Sequence, residues 1–150
     1  MSLERRVAYA SFAGVIILFA AVAVGSFTRA YGAGMGCGDE WPTCLGELVP
    51  EFYNYAVALE YFHRVFAGIG FILVVYATYL ALRSGDVGLR RLALATTVVL
   101  TAQVILGAIV VWEVLDPMYS ALHNTVAILT MALATGLAVR AGMRTQCASK

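Results

Sequence analysis

Four long apolar stretches separated by polar connections organise the chain, at about Val7–Phe27, Val57–Leu82, Leu92–Trp112 and Tyr119–Val139. The apolar positions run continuously and do not alternate with a period of two, so they predict helices and not barrel strands. Each stretch reaches the roughly 20 residues of helix that cross a hydrocarbon layer. The pattern predicts an all-α integral membrane protein, a four-transmembrane-helix antiparallel bundle forming one domain over residues 1–150. Arg5 and Arg6 before the first run give it the outline of a signal peptide. The run is longer than a signal h-region, and Thr28-Arg29 is not a small-residue cleavage site, so a retained helix is expected.

Composition agrees with a membrane class. Hydrophobic residues make up 61% of the 150 and charged residues 13%, too little polar surface to cover a soluble core of this size. The net charge of +1 conceals a strong asymmetry. Arg5, Arg6, Arg83, Arg90, Arg91, Arg140, Arg144 and Lys150 lie at the two termini and in the middle connection. Asp39, Glu40, Glu47, Glu51, Glu60, Glu113 and Asp116 lie elsewhere. Basic connections stay in the cytoplasm, so both termini are expected inside the cell membrane, with the 29–56 loop outside. No basic patch suggests nucleic acid. The outer loop opens with alternating glycines (Gly32, Gly34, Gly36, Gly38), which predict tight turns. Pro50 suits the first turn of a helix running from about Pro50 to Leu82, with Tyr53 and Tyr55 at the interfacial level.

The chain has two histidines, His63 and His123. His63 lies 20 residues before Arg83, and His123 lies 17 before Arg140 and 21 before Arg144. Helical rise then puts both imidazoles roughly 25–32 Å from the basic anchors, near the outer edge of the hydrocarbon. One histidine at such a place reads as a hydrogen-bonded structural residue. Two at matched depth, with no others in the chain, read as a shared ligand set, and a haem iron between helices two and four suits them best. Zinc fits less well, because only Glu60 adds a third donor at that level and zinc prefers four. A weak internal repeat accompanies this: residues around Glu60-Tyr-Phe-His63-Arg64 open the second span much as Ala121-Leu-His123-Asn124 open the fourth.

Glu60, three residues before His63, projects from the same helix face. It either pairs with Arg64 as a structural ion pair or acts as a proton acceptor beside a cofactor. Arg29 and Arg64 are the outer basic residues and are candidates for neutralising haem propionates. Gln103, 12 residues after Arg91, either bonds a neighbouring helix or faces the cofactor edge, with Gly107 one turn later giving room. Cys37 and Cys44 lie in the outer loop, a compartment that permits a disulfide. Such a pair either staples the loop or passes electrons inward. Cys147 in the tail is expected to be a free thiol.

These residues together resemble a family. Gly25-Ser-Phe-Thr-Arg29 and Gly34-Met-Gly-Cys37-Gly-Asp-Glu-Trp41-Pro42-Thr-Cys44 are similar to the first span and outer loop of haem A synthases. Glu60-Tyr-Phe-His63-Arg64 is similar to that family's Glu-x-x-His-Arg motif, and Gln103-Val-Ile-Leu-Gly107 and Leu122-His123 to its third and fourth helices. The resemblance covers about residues 20–130. It implies oxidation of the C8 methyl of haem O to the formyl group of haem A for terminal oxidases, with haem b, haem O or haem A as cofactor. It also implies His63 and His123 as axial ligands, Glu60 as a catalytic carboxylate and Cys37–Cys44 as a disulfide. The implied partners are haem O as substrate, the lipid bilayer, a haem O synthase and an electron-transfer partner.

Typical bacterial members carry eight spans in two homologous halves, and this chain corresponds to one half. Self-association supplying a second haem site is therefore expected; a single site doing all the chemistry is the alternative. Two axial histidines leave no open position on iron. Oxidation then proceeds either by removing electrons through the macrocycle, with water attacking and Glu60 taking the proton, or after one histidine leaves the iron. The competing class is a non-catalytic bis-histidine b-type cytochrome, which needs the histidines but neither Glu60 nor the cysteines. A quinone-linked thiol oxidoreductase would want a reactive Cys-x-x-Cys pair, and a transporter an acidic residue at mid-membrane.

Overall fold

The computed structural model describes residues 1–147, and their side chains through residue 145. The Cys147 thiol and Lys150 lie outside the described residues. Four helices follow one another: α1 (Leu3–Ala30), α2 (Tyr55–Leu82), α3 (Val87–Trp112) and α4 (Pro117–Cys147). Each is long and apolar enough to cross a membrane, and the chain is a multi-pass membrane protein. Every helix overruns its apolar stretch because the starts are set by capping side chains, which periodicity does not register. The Asn54 side chain accepts the Val57 N–H at 3.0 Å, and Asp86 accepts the Leu89 N–H at 3.0 Å. Asp116 accepts from Met118 and Tyr119 at 2.8 and 3.2 Å, which puts Pro117 in the first helical turn, where a missing N–H is harmless.

The expected helix start at Pro50 is not what forms. Asn54 caps α2, and Pro50 is buried in the loop before it. A strong side-chain acceptor outcompetes proline's fixed φ as a start signal, because it satisfies an otherwise orphaned amide.

α1 packs against α2 and α4, and α3 packs against α2 and α4. The helices thus form a four-cornered ring, with α2 and α4 at opposite corners. The α1–α2 interface is the most extensive and α2–α3 the least. In lipid, apolar side chains gain little by facing inward, so close backbone approach governs packing. The interior is accordingly lined by small residues such as Ala77, Ala81, Ala93, Ala134, Ala138 and Ala141, while Ile16, Phe19, Ile72, Val98 and Ile128 point outward. A Cβ added at Gly70 would come within 2.6 Å of Leu18, so α1 and α2 touch closely at that point. Polar stitching reinforces the thinnest interface: Thr78 Oγ1 donates to the Ala93 carbonyl at 3.1 Å and lies 2.8 Å from Thr97 Oγ1.

Two buried clusters fill the terminal end and the middle of the bundle, the first around Val7, Leu80, Leu89 and Leu137, the second around Leu18, Val74, Leu100 and Ala134. A third, Cys37, Cys44 and Val57, lies under the 31–54 loop at the other end. Between the middle cluster and the loop lies the layer carrying both histidines.

Candidate functional site

Helix geometry sets the histidines level. Gly25 is five residues before the end of α1 and Gly107 five before the end of α3. His63 and His123 come early in α2 and α4, the helices that follow. Each ring sits on the glycine of the preceding helix. A Cβ at Gly25 would lie 2.7 Å from His63 Cε1, and one at Gly107 would lie 3.1 Å from His123 Cε1. The two helical hairpins therefore repeat one construction: a glycine near the end of the first helix gives room for an imidazole near the start of the second. Both rings are half-buried, as are Gly25, Gln103 and Gly107.

The two rings are held differently. His63 Nδ1 lies 2.8 Å from the Ala21 carbonyl, one turn before Gly25 on α1. Because a carbonyl only accepts, Nδ1 carries the proton and Nε2 keeps its lone pair. His123 Nε2 lies 3.2 Å from the Gln103 side-chain nitrogen, and its Nδ1 makes no close hydrogen bond although the Gln103 backbone carbonyl, one turn before Gly107, faces the ring. Gln103 Oε1 is also buried and unpartnered. Gln103 thus bonds a neighbouring helix through the very residue it was expected to accompany.

Glu60 is 3% exposed and is tied to the loop. Its Oε2 accepts the Cys37 N–H at 2.8 Å, and its Oε1 pairs with Arg64. Arg64 also donates to the carbonyls of Glu40 and Thr43, at 2.7 and 2.6 Å. One helical turn of α2 therefore holds both sides of the Cys37–Cys44 disulfide, whose Cα atoms are 4.5 Å apart. Gly36 allows this, since a Cβ there would lie 2.3 Å from the Ala56 carbonyl. Arg29, at the end of α1, is exposed and makes no side-chain hydrogen bond or ion pair among the described residues.

Sequence reasoning singled out Glu60, Arg64 and the cysteines but not the wire between them, because a side chain bonding a loop amide 23 residues away leaves no local pattern. It also missed Ala21 and the seating role of Gly25. The second had a signal in Gly107, a glycine near the end of the other hairpin's first helix that the sequence reading had already given a packing role. Among the described residues, no group of three or more His, Cys, Asp and Glu side chains could hold a bare metal ion.

The COX15-CtaA family, described as cytochrome oxidase assembly protein, matches residues 8–52 and 51–135. The chain is 32% identical over 138 residues to a Heme A synthase of Symbiobacterium thermophilum, covering 89% of this chain and 45% of that protein. It is 33% identical over 127 residues to a Heme A synthase of Geobacillus kaustophilus, covering 83% and 39% respectively. It is also similar to a Protoheme IX farnesyltransferase of Thermus thermophilus, 39% identical over 72 residues, covering 47% of this chain and 12% of that one. The chain spans less than half the length of these curated relatives. No solved structure matches it.

Proposed function

The chain belongs to the COX15-CtaA family of cytochrome oxidase assembly proteins, and from that premise we propose that it is a haem A synthase-like enzyme, oxidising the C8 methyl of haem O to a formyl group. The observation that carries this reading is the paired construction of Gly25 with His63 and Gly107 with His123 at one level of the bundle. Two imidazole donors without a third protein ligand suit an iron that brings four equatorial nitrogens with it, as a porphyrin does. The residues fit such a group: each ring has a glycine cradle, and unpartnered buried polar atoms at His123 and Gln103 mark a layer the protein does not satisfy by itself.

When bound, the porphyrin supplies the iron and the methyl carbon. Methyl to formyl is a four-electron oxidation in which the methyl and one water give the aldehyde, four protons and four electrons. The electrons pass to an acceptor outside the chain. His63 and His123 hold the group from opposite corners. Arg29, with its guanidinium free, offers a charge partner for a propionate, and Arg64 shares that part only through whatever donor capacity the loop leaves it. Glu60 stands one turn from His63 as the proton acceptor; each carboxylate oxygen has two lone pairs, and the observed donors use one apiece. The disulfide staples the loop over the site. The basic termini and middle connection support an inside location for both ends in the cell membrane. Association with a second copy of the chain is part of the proposal, by analogy with the two-halved members of the family.

The test is to express the chain with a haem O source and extract its pigment. Haem A, identified by mass, supports the synthase. Haem B alone supports the electron carrier. A colourless protein defeats both.

A further inference from the structure

The two histidines sit in matching cradles but are secured to different degrees, and the difference has a chemical consequence. His63 is fixed twice: Ala21 accepts from Nδ1, which sets the tautomer and leaves Nε2 as the donor, and the ring lies on Gly25 so closely that no Cβ would fit. A backbone carbonyl on a packed helix cannot move away, so this imidazole is pre-aimed. His123 is seated more loosely: its Nδ1 makes no close hydrogen bond although the Gln103 backbone carbonyl faces the ring, its contact with Gly107 is longer, and its Nε2 is on the Gln103 side chain. Whichever way the Gln103 amide is turned, one of its ends faces Nε2, the nitrogen that a porphyrin iron would compete for.

We propose that Gln103 is a positioning residue that makes His123 the exchangeable member of the pair, capturing its ring when it leaves the iron, while His63 is the permanent ligand. This rests on the haem-binding reading of the site. It supplies an opening at the iron on the α4 side without disturbing the α1–α2 hairpin that carries Glu60. The amide holds the displaced imidazole next to its cradle, so the exchange needs no helix movement.

The experiment uses the full-length haem-loaded protein and carbon monoxide as the probe of an open position, with the ferric spin state read by electron paramagnetic resonance. Gln103→Leu keeps the side-chain volume and removes the capture. Gln103→Asn keeps polarity but is too short to reach the ring. Both variants are expected to weaken carbon monoxide binding on the order of fivefold, the equivalent of one hydrogen bond, and to shift the ferric signal toward low spin. His123→Ala is expected to retain haem in a high-spin form that binds carbon monoxide readily, and His63→Ala to lose haem. Unchanged carbon monoxide affinity and spin state in both Gln103 variants overturns the proposal, as does haem retention by His63→Ala together with haem loss by His123→Ala. A wild-type protein that takes up no haem instead defeats the functional reading on which the proposal stands.

Discussion

Replacing Glu60 with alanine tests whether the carboxylate is the tie between α2 and the disulfide loop. The substitution removes the acceptor of a buried amide, Cys37 N–H, and the partner of Arg64, whose side chain is 12% exposed. An orphaned buried amide costs about 1–3 kcal/mol. Breaking a buried ion pair from one side costs about 3–5 kcal/mol, an upper bound here, since Arg64 keeps the Glu40 and Thr43 carbonyls. The two penalties share one side chain and do not add fully. A loss of about 3–5 kcal/mol follows, which for a chain this size lowers the unfolding temperature by about 10 °C. Glu60→Gln should cost less, because its amide oxygen still accepts from Cys37. Arg64→Met in the Glu60→Ala background should recover part of the loss by removing the uncompensated cation. The assay is thermal unfolding in one detergent together with limited proteolysis of residues 38–53. Glu60→Ala protein that melts within 1–2 °C of wild type, with no new loop cleavage, would refute the tie and leave Glu60 a purely chemical role.

Three further outcomes are expected. Gly25→Ala should reduce haem occupancy more than Gly107→Ala, because the added Cβ falls 2.7 Å from the His63 ring but 3.1 Å from that of His123; equal occupancy, measured as pyridine haemochrome per protein, would contradict the seating argument. Asp86, at the start of α3, has its carboxyl lowered to about 2 by the Arg140 guanidinium and the Leu89 amide that donate to it. Its clasp on α4 is therefore complete above about pH 4 and lost as the pH falls toward 2, so the stability gap between wild type and Asp86→Asn should close over that window in acid-titrated melting curves. Val114 and Leu115 turn the chain between α3 and α4 with φ of 49° and 62°, a region unfavourable for a β-branched residue. Val114→Asn should stabilise the protein by about 0.5–1 kcal/mol, and a lower melting temperature would show that the turn is not strained.

The four helices were legible because a membrane demands long continuous apolar runs, a signal that survives without any knowledge of packing. Their starts were less so: Asn54, Asp86 and Asp116 each override the apolar boundary, and Pro50 drew the α2 start five residues too early because it lies inside the loop. His63, His123, Glu60, Arg64 and Gln103 stood out since ionisable and amide groups are rare in such a chain. What they touch did not. The Ala21 carbonyl is a backbone group with no sequence identity of its own, and the Cys37 amide that Glu60 binds is likewise invisible as a residue type. Gln103 admitted two readings, a neighbouring helix or the cofactor edge, and the contact with His123 shows why these were hard to separate: the neighbouring-helix partner is itself a site residue.

The resemblance between the hairpins and their differences belong to separate tasks. What repeats is steric: a glycine that lets an imidazole approach the preceding helix, at one depth in each hairpin. Each imidazole is thereby seated against the helix before it. What does not repeat is polar: the Glu60–Arg64 pair and the disulfide loop belong to the α1–α2 hairpin, while the Gln103 side chain attends His123. Unequal second contacts on two axial histidines would tune the potential of an electron carrier, whereas chemistry at the iron itself would need one ligand that yields. The Gln103 variants separate these two uses of the unequal contacts at His63 and His123, because only the second predicts a change in carbon monoxide binding.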